Sequence, residues 1–266
     1  MEIAGYLLAS LVGVSLGLIG GGGSILTVPI LVYLMGISPV LSTSYSLFIV
    51  GSTSLVGAVN NYSKGFVNIN TALLFGISSI TTVFITRKIL LPKIPLVLYQ
   101  SPGFTFTQSM ATMVLFAVLM LVASIAMIRN DDDMVQPLAK GASKTNNIVK
   151  LLLVAILIGL VTGLLGAGGG FLVIPALVFI LKMPMKEAVG TSLLIIALNS
   201  LIGFTGDLGQ VEIDWKFLIS ITLIAVAGIF VGGILAKKIN GEKLKKAFGW
   251  FVLVMGIYIL VKEIFL

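Results

Sequence analysis

Charged residues interrupt this chain rarely, and the intervals between them are as long as membrane-crossing helices. No Asp, Glu, Lys or Arg falls within 3–63, 65–86, 94–128, 151–181, 188–206, 217–236 or 247–261. A helix needs about 20 apolar residues to cross the roughly 30 Å hydrocarbon core of a bilayer. The runs therefore predict helices near 3–19, 40–60, 70–91 and 107–128 in the first half of the chain, and near 149–165, 186–205, 215–236 and 246–264 in the second. Two shorter apolar pieces remain, 24–35 and 171–181. At 1.5 Å per residue a 12-residue helix covers only about 18 Å. Both are predicted as re-entrant half-helices, which are stable only when buried in protein or lining a cavity. Nowhere is there the ten-residue apolar-out, polar-in alternation of an outer-membrane strand. The predicted fold class is an all-α polytopic membrane protein.

Composition fixes the solvent. Hydrophobic residues make up 58% of the 266 and charged residues 10%. A soluble domain could not cover that much apolar surface with so few charges. The expected partner is the lipid bilayer. The net charge of +7 does not imply a nucleic acid, because the lysines sit in short loops beside apolar segments, where they set orientation by the positive-inside rule. On that rule the loop with Arg87, Lys88 and Lys93 and the loop with Lys237, Lys238, Lys243, Lys245 and Lys246 are both predicted to be cytoplasmic. Four full crossings per half put the two loops on one side, as parallel repeats, with both termini outside. The loop containing Asp207, Glu212 and Asp214 is then also outside, as are Asp131, Asp132 and Asp133. Met1 and Glu2 lead into the first apolar segment with no basic region or cleavage pattern, so that segment is expected to remain in the mature protein. The chain has no cysteine and no histidine, which removes thiolate nucleophiles and the commonest metal ligands. Neither a cofactor nor a metal is expected, nor enzymatic activity.

The halves repeat one pattern. Gly17-Leu18-Ile19-Gly20-Gly21-Gly22-Gly23-Ser24 recurs 146 residues later as Gly163-Leu164-Leu165-Gly166-Ala167-Gly168-Gly169-Gly170. At the same offset Gly13 meets Gly159, Pro29 meets Pro175, Ser46 meets Ser192, Ser54 meets Ser200 and Gly57 meets Gly203. The predicted organisation is a first transmembrane repeat over 1–128, a linker over 129–148 and a second repeat over 149–266. Gly13, Gly17 and Gly21, like Gly159 and Gly163, have the small-xxx-small spacing of close helix packing. Consecutive glycines need another reason, because each costs about 1 kcal/mol inside a helix. An unwound stretch leading into a helix N-terminus supplies one: free N–H groups and the positive end of the helix dipole favour an anion. Gly21, Gly22, Gly23 and Ser24, with Gly168, Gly169 and Gly170, are the predicted substrate-binding backbone.

Polar side chains cluster on the helix after each short one. Ser46, Thr191, Ser192 and Asn199 are the predicted substrate-binding side chains, with Ser200 and Asn60 as further donors. Many hydroxyls on buried helices merely bond back to the preceding turn. All ten acidic residues fall in predicted loops or at segment ends, so no carboxylate is expected inside the membrane. Donors without carboxylates suit a small-molecule anion.

The sequence 17–29, its counterpart 163–175, and Gly190-Thr191-Ser192-Leu193-Leu194 resemble the sulfite exporter TauE/SafE family, over nearly the whole chain. The first half departs from the Gly-Thr-Ser-Leu form, with Ser44-Tyr45-Ser46-Leu47. The resemblance implies a permease of the bacterial cytoplasmic (inner) membrane that exports a small, often sulfur-containing oxyanion such as sulfite or an organosulfonate. An ion-coupled importer of a sulfur compound and a non-transporting structural membrane protein are the alternatives. The oligomeric state is not indicated.

Overall fold

In the computed structural model, residues 2–101, 104–128, 144–166, 168–236 and 241–265 are described. Much of the predicted linker at 129–148, and Lys237 and Lys238 of the second basic loop, lie outside them. The chain runs as α1 (Glu2–Ile19), a 3-10 stretch (Gly20–Leu26), the single turn α2 (Thr27–Pro29) and a π-helical stretch (Ile30–Leu34). There follow α3 (Pro39–Tyr62), α4 (Ile69–Ile85), a second π-helical stretch (Thr86–Leu90) and the turn α5 (Leu91–Lys93). An antiparallel hairpin of β1 (Val97–Ser101) and β2 (Phe104–Thr107) leads to α6 (Gln108–Ile128). The second half holds α7 (Lys144–Leu165), α8 (Gly170–Leu181), α9 (Met185–Asp207), α10 (Trp215–Ala236) and α11 (Gly241–Phe265).

Among the described residues, five helical spans are long and apolar enough to cross a bilayer: Pro39–Tyr62, Ile69–Lys93, Gln108–Ile125, Met185–Asp207 and Trp215–Leu235. The outward faces of these spans and of α7 carry large apolar side chains. Ile77, Leu153, Leu157, Leu223 and Ile234 are all more than half exposed. An apolar surface that broad is stable against lipid rather than water. This is a multi-pass membrane protein.

Local chemistry sets the helix ends. Asn68 starts α4 by accepting the Thr71 N–H at 3.0 Å, and Asp214 starts α10 by accepting the Phe217 N–H at 3.0 Å. Pro39 opens α3, where its missing N–H is not needed. Gly36 and Lys182, both with positive φ, end the short helices. In each case an N–H reaches back six residues, Ile37 to the Leu31 carbonyl and Met183 to the Leu177 carbonyl, one residue further than in a Schellman end.

Close packing at glycines gives the helix directions. A Cβ on Gly13 would strike the Ala225 backbone and one on Gly17 the Gly232–Gly233 backbone, so α1 runs parallel to α10. Gly159 lies against Ser79 and Gly163 against Thr86, so α7 runs parallel to α4. Gly57 and Gly203 meet Leu193 and Leu47, which makes α3 and α9 antiparallel. Gly249 faces Ser124 and Gly256 faces Ala117, so α6 and α11 are antiparallel. At one end of the bundle Ser44 meets Asp207, and at the other Asn68 meets Glu187 and Thr191. These are the Arg87 end and the Asn68 end below.

This geometry overturns the predicted sidedness of the two basic loops. Lys88 and Lys93 follow α4 at the Arg87 end, whereas α10 starts there and finishes at the Asn68 end, where Lys243 lies on the next helix. The two loops occupy opposite ends. The cause is a change of parity. Gly23 packs on the backbone of Ser15 and Leu16, so the chain folds back on α1, and α3 begins at the Arg87 end. Likewise α8 returns along α7, with Val173, Leu177 and Met183 in one core cluster with Leu151, Ala155 and Ile158. Each half thus makes an odd number of net crossings. The halves run in opposite senses, not in parallel.

Candidate functional site

The second glycine run forms an unwound link. Gly166, Gly168 and Gly169 all have positive φ, between 67° and 69°, and Gly170 begins the twelve-residue α8. Left-handed backbone in three of four positions is accessible to glycine and strained for other residues. The link is buried among three long helices. Gly166 lies against Thr43 of α3, Gly168 against the Ser200 hydroxyl, Val50 and Ile196, and Gly169 against the Thr162 hydroxyl of α7.

The first run is built differently. Gly21, Gly22, Gly23 and Ser24 are wound into the 3-10 stretch, and among the described residues none of the first-run glycines has a positive φ. Gly23 faces the α1 backbone, so its lack of a side chain serves packing. Ser24 is buried. The 3-10 stretch nonetheless touches α8, so the two glycine-led segments meet in the interior.

The other predicted residues divide by depth. Asn199 is buried; its Oδ1 accepts from the Ser79 hydroxyl at 2.9 Å, while its Nδ2 has no acceptor among the described residues. The buried hydroxyls of Ser46 and Ser200 also lack partners there. Ser46 stands three residues after Thr43 and four before Val50, both of which touch the glycine link, so helical spacing puts it on that face. Ser192 instead donates to the Val189 carbonyl of its own helix. Thr191 accepts the Asn68 N–H at the Asn68 end. It is eight residues from Asn199, about 12 Å along the helix. Asn60 is exposed.

The residue not anticipated is Arg87. The sequence puts it in a basic loop; in the structure it is fully buried, in the π-helical stretch Thr86–Leu90. Pro92 follows closely, and a proline can neither donate to the preceding turn nor fit against its carbonyl, which favours a wider local winding. Arg87 Nη1 donates to Asp207 Oδ2 at 3.1 Å and to Thr43 Oγ1 at 3.1 Å. The Ser44 hydroxyl donates to the same Asp207 oxygen at 2.5 Å. Asp207 is itself only 3% exposed, which corrects the expectation that no carboxylate lies inside. Arg87 Nε and Nη2 have no partner among the described residues. The available signal was the uncharged run 65–86: Arg87 follows it directly, on the same helical path.

Buried unsatisfied donors cost about 1–3 kcal/mol each, and more when charged, so native proteins keep few of them. Here Arg87, Ser46, Ser200, Thr162 and Asn199 all carry such groups, from the Arg87 end to mid-depth. Of these, Ser200 and Thr162 lie directly against the glycine link that opens the N-terminus of α8, and Arg87 reaches it through Thr43. The arrangement offers N–H and O–H groups to an anion, close to one paired positive charge.

A family model described as Sulfite exporter TauE/SafE matches residues 6–259. Two relatives align along nearly their whole length, both called probable membrane transporter proteins. One, from Xylella fastidiosa, is 28% identical over 257 residues, covering 94% of this chain and 91% of its own. YunE of Bacillus subtilis is 26% identical, covering 96% and 92%. A third such protein, from Methanocaldococcus jannaschii, is 39% identical over 114 residues, 41% of this chain and 43% of its own. No solved structure matches.

Proposed function

The chain belongs to the sulfite exporter TauE/SafE family, and on that basis we propose that this membrane transporter carries a small oxyanion, such as sulfite or an organosulfonate, outward across the bacterial cytoplasmic membrane. The observation that carries this reading is the glycine link before α8, lying against the buried hydroxyls of Ser200 and Thr162, which have no partner among the described residues. In the proposed site, backbone N–H groups of Gly168, Gly169 and Gly170 and the side chains of Ser46, Ser200 and Asn199 hold the anion. Thr191, Ser192 and the first glycine run support the surrounding structure.

The proposed mechanism uses an inverted repeat. Two interactions support it, each the counterpart of the other at the 146-residue offset. The Asn68 N–H donates to the Thr191 hydroxyl at 2.9 Å, and the Asp214 N–H donates to the Tyr45 hydroxyl at 2.9 Å. Halves of opposite sense around a mid-depth site can open to either face by exchanging conformations. A potential negative inside contributes about 2.3 kcal/mol per charge per 100 mV towards expelling an anion, which suffices for export without a coupling ion.

The Asn68 end is proposed as cytoplasmic. It exposes Lys64, Lys150, Lys182 and Lys186. Single cysteines at Lys64 and Lys186 of this cysteine-free chain should be shielded from an impermeant thiol reagent in intact cells. Those at Lys93 and Gln210 should label. Joint labelling of Lys93 and Lys186 from one side would rule out the inverted arrangement.

Flux in proteoliposomes tests the transport reading. Sulfite or methanesulfonate loaded inside should leave faster when the interior is negative, and imposed sodium or proton gradients should add little. The buried Asp207 carboxylate favours one alternative, coupling to a proton or cation. Accumulation driven by an ion gradient at zero voltage would establish that alternative. No flux of any of these anions would leave the oxyanion reading without support.

A further inference from the structure

We infer that the unpartnered edge of Arg87 is a bidentate fork for an anion with two or more oxygens on one centre, and that Asp207 is the positioning residue that aims it. This deepens the oxyanion reading and rests on it. A guanidinium presents distinct hydrogen-bonding sides. Nε–H and the neighbouring Nη2–H point the same way and form two parallel bonds to two oxygens of a carboxylate, sulfite or sulfonate. Those two nitrogens are the ones without partners among the described residues, while Nη1 carries both Thr43 and Asp207. A salt bridge formed for stability alone would gain from meeting the carboxylate with two nitrogens. Here the pairing is single-pronged, and the Ser44 hydroxyl holds Asp207 Oδ2 in that position.

Burial strengthens the inference. Arg87 is 0% exposed, so bulk solvent does not reach the free edge. Thr43 joins this cluster to the transport path, since its side chain accepts from Arg87 Nη1 and its backbone touches Gly166 of the glycine link. The offset counterpart of Arg87 is Gly233, so the other half has no such fork. Selection for two-oxygen anions therefore lies at one end of the path only. A halide has one atom to offer and can use only half of the fork.

Thermal unfolding of the purified full-length protein in detergent tests the assignment, with sodium sulfite and sodium methanesulfonate as probes and sodium chloride at equal ionic strength as reference. The wild type should be stabilised saturably by the two sulfur oxyanions and not by chloride. Arg87→Lys keeps a cation opposite Asp207 but has no fork. Its half-saturating concentration for both probes should rise at least about tenfold, the loss of one charge-assisted hydrogen bond. Should that variant not fold, the neutral pair Arg87→Gln/Asp207→Asn carries the test, and cooperative melting without a response to either probe supports the fork. Half-saturation at the wild-type concentration in either variant overturns it while leaving the oxyanion reading standing. A wild type unmoved by both probes overturns both.

Discussion

Arg87→Met alone should unfold far more readily than the wild type, while Arg87→Met/Asp207→Leu should recover most of that loss and still transport nothing. Removing one member of a buried ion pair leaves the other charged and uncompensated, typically at a cost of about 3–5 kcal/mol. Replacing both by apolar residues of similar volume is often neutral or stabilising. Arg87 is fully buried and Asp207 nearly so, with the pair at 3.1 Å, so the single variant should lie near the upper part of that range. Denaturant unfolding in detergent measures the stability, and flux of sulfite or methanesulfonate in proteoliposomes measures the function. A pair that serves only the fold would give a double variant that both folds and transports. Recovery of stability without recovery of flux separates the two roles.

Gly169→Ala should lose stability through two separable contributions. The left-handed conformation, φ 69°, strains any residue with a Cβ by about 1–2 kcal/mol. The added methyl would also collide with the Thr162 hydroxyl, and overpacking adds about 1–3 kcal/mol. Gly36→Ala separates the two contributions, because Gly36 has the same φ of 69° and nothing within 4 Å of where its Cβ would stand. Its loss should be the strain alone. In Gly169→Ala/Thr162→Ala the steric part should return and the strain remain, a coupling measurable as a double-mutant cycle on unfolding free energy. Equal losses at Gly36 and Gly169 would show that the link has room to spare.

The spans were legible because an uncharged run of helical length allows few other structures. The predicted 215–236 coincides with Trp215–Ala236, and 40–60 with the core of Pro39–Tyr62. The hairpin of β1 and β2 was missed. Its residues lie within an apolar run that reads equally well as lipid-embedded, although Pro102-Gly103 is a turn signal. Helix direction was misread because α1 and α7 were counted as full crossings while the chain folds back on each of them, and Arg87 was separately taken for a loop charge. A charge that ends a helix inside the protein looks the same in sequence as one that begins a loop. The site was legible in part for a related reason. The left-handed glycines before α8 follow from their own chemistry, but which hydroxyls face them depends on the neighbouring helices. Every turn of α3 from Ser42 to Leu47 is buried, so hydropathy could not separate Ser46 from Thr43 and Ser44.

The exchange of hydrogen bonds between Asn68 and Thr191, and between Asp214 and Tyr45, has a consequence for how the molecule is made. Each half supplies the hydroxyl that satisfies a backbone N–H of the other. The main helix contacts follow the same rule: α1 rests on α10, α3 on α9, α4 on α7 and α6 on α11. A ribosome that has delivered only residues 1–128 has therefore put into the membrane helices whose packing surfaces await partners not yet synthesised. Until α7 to α11 arrive, those surfaces face lipid or whatever insertion machinery shelters them. Assembly is a late event in the life of the nascent chain, and a stop codon in the second half leaves the first without a fold to keep.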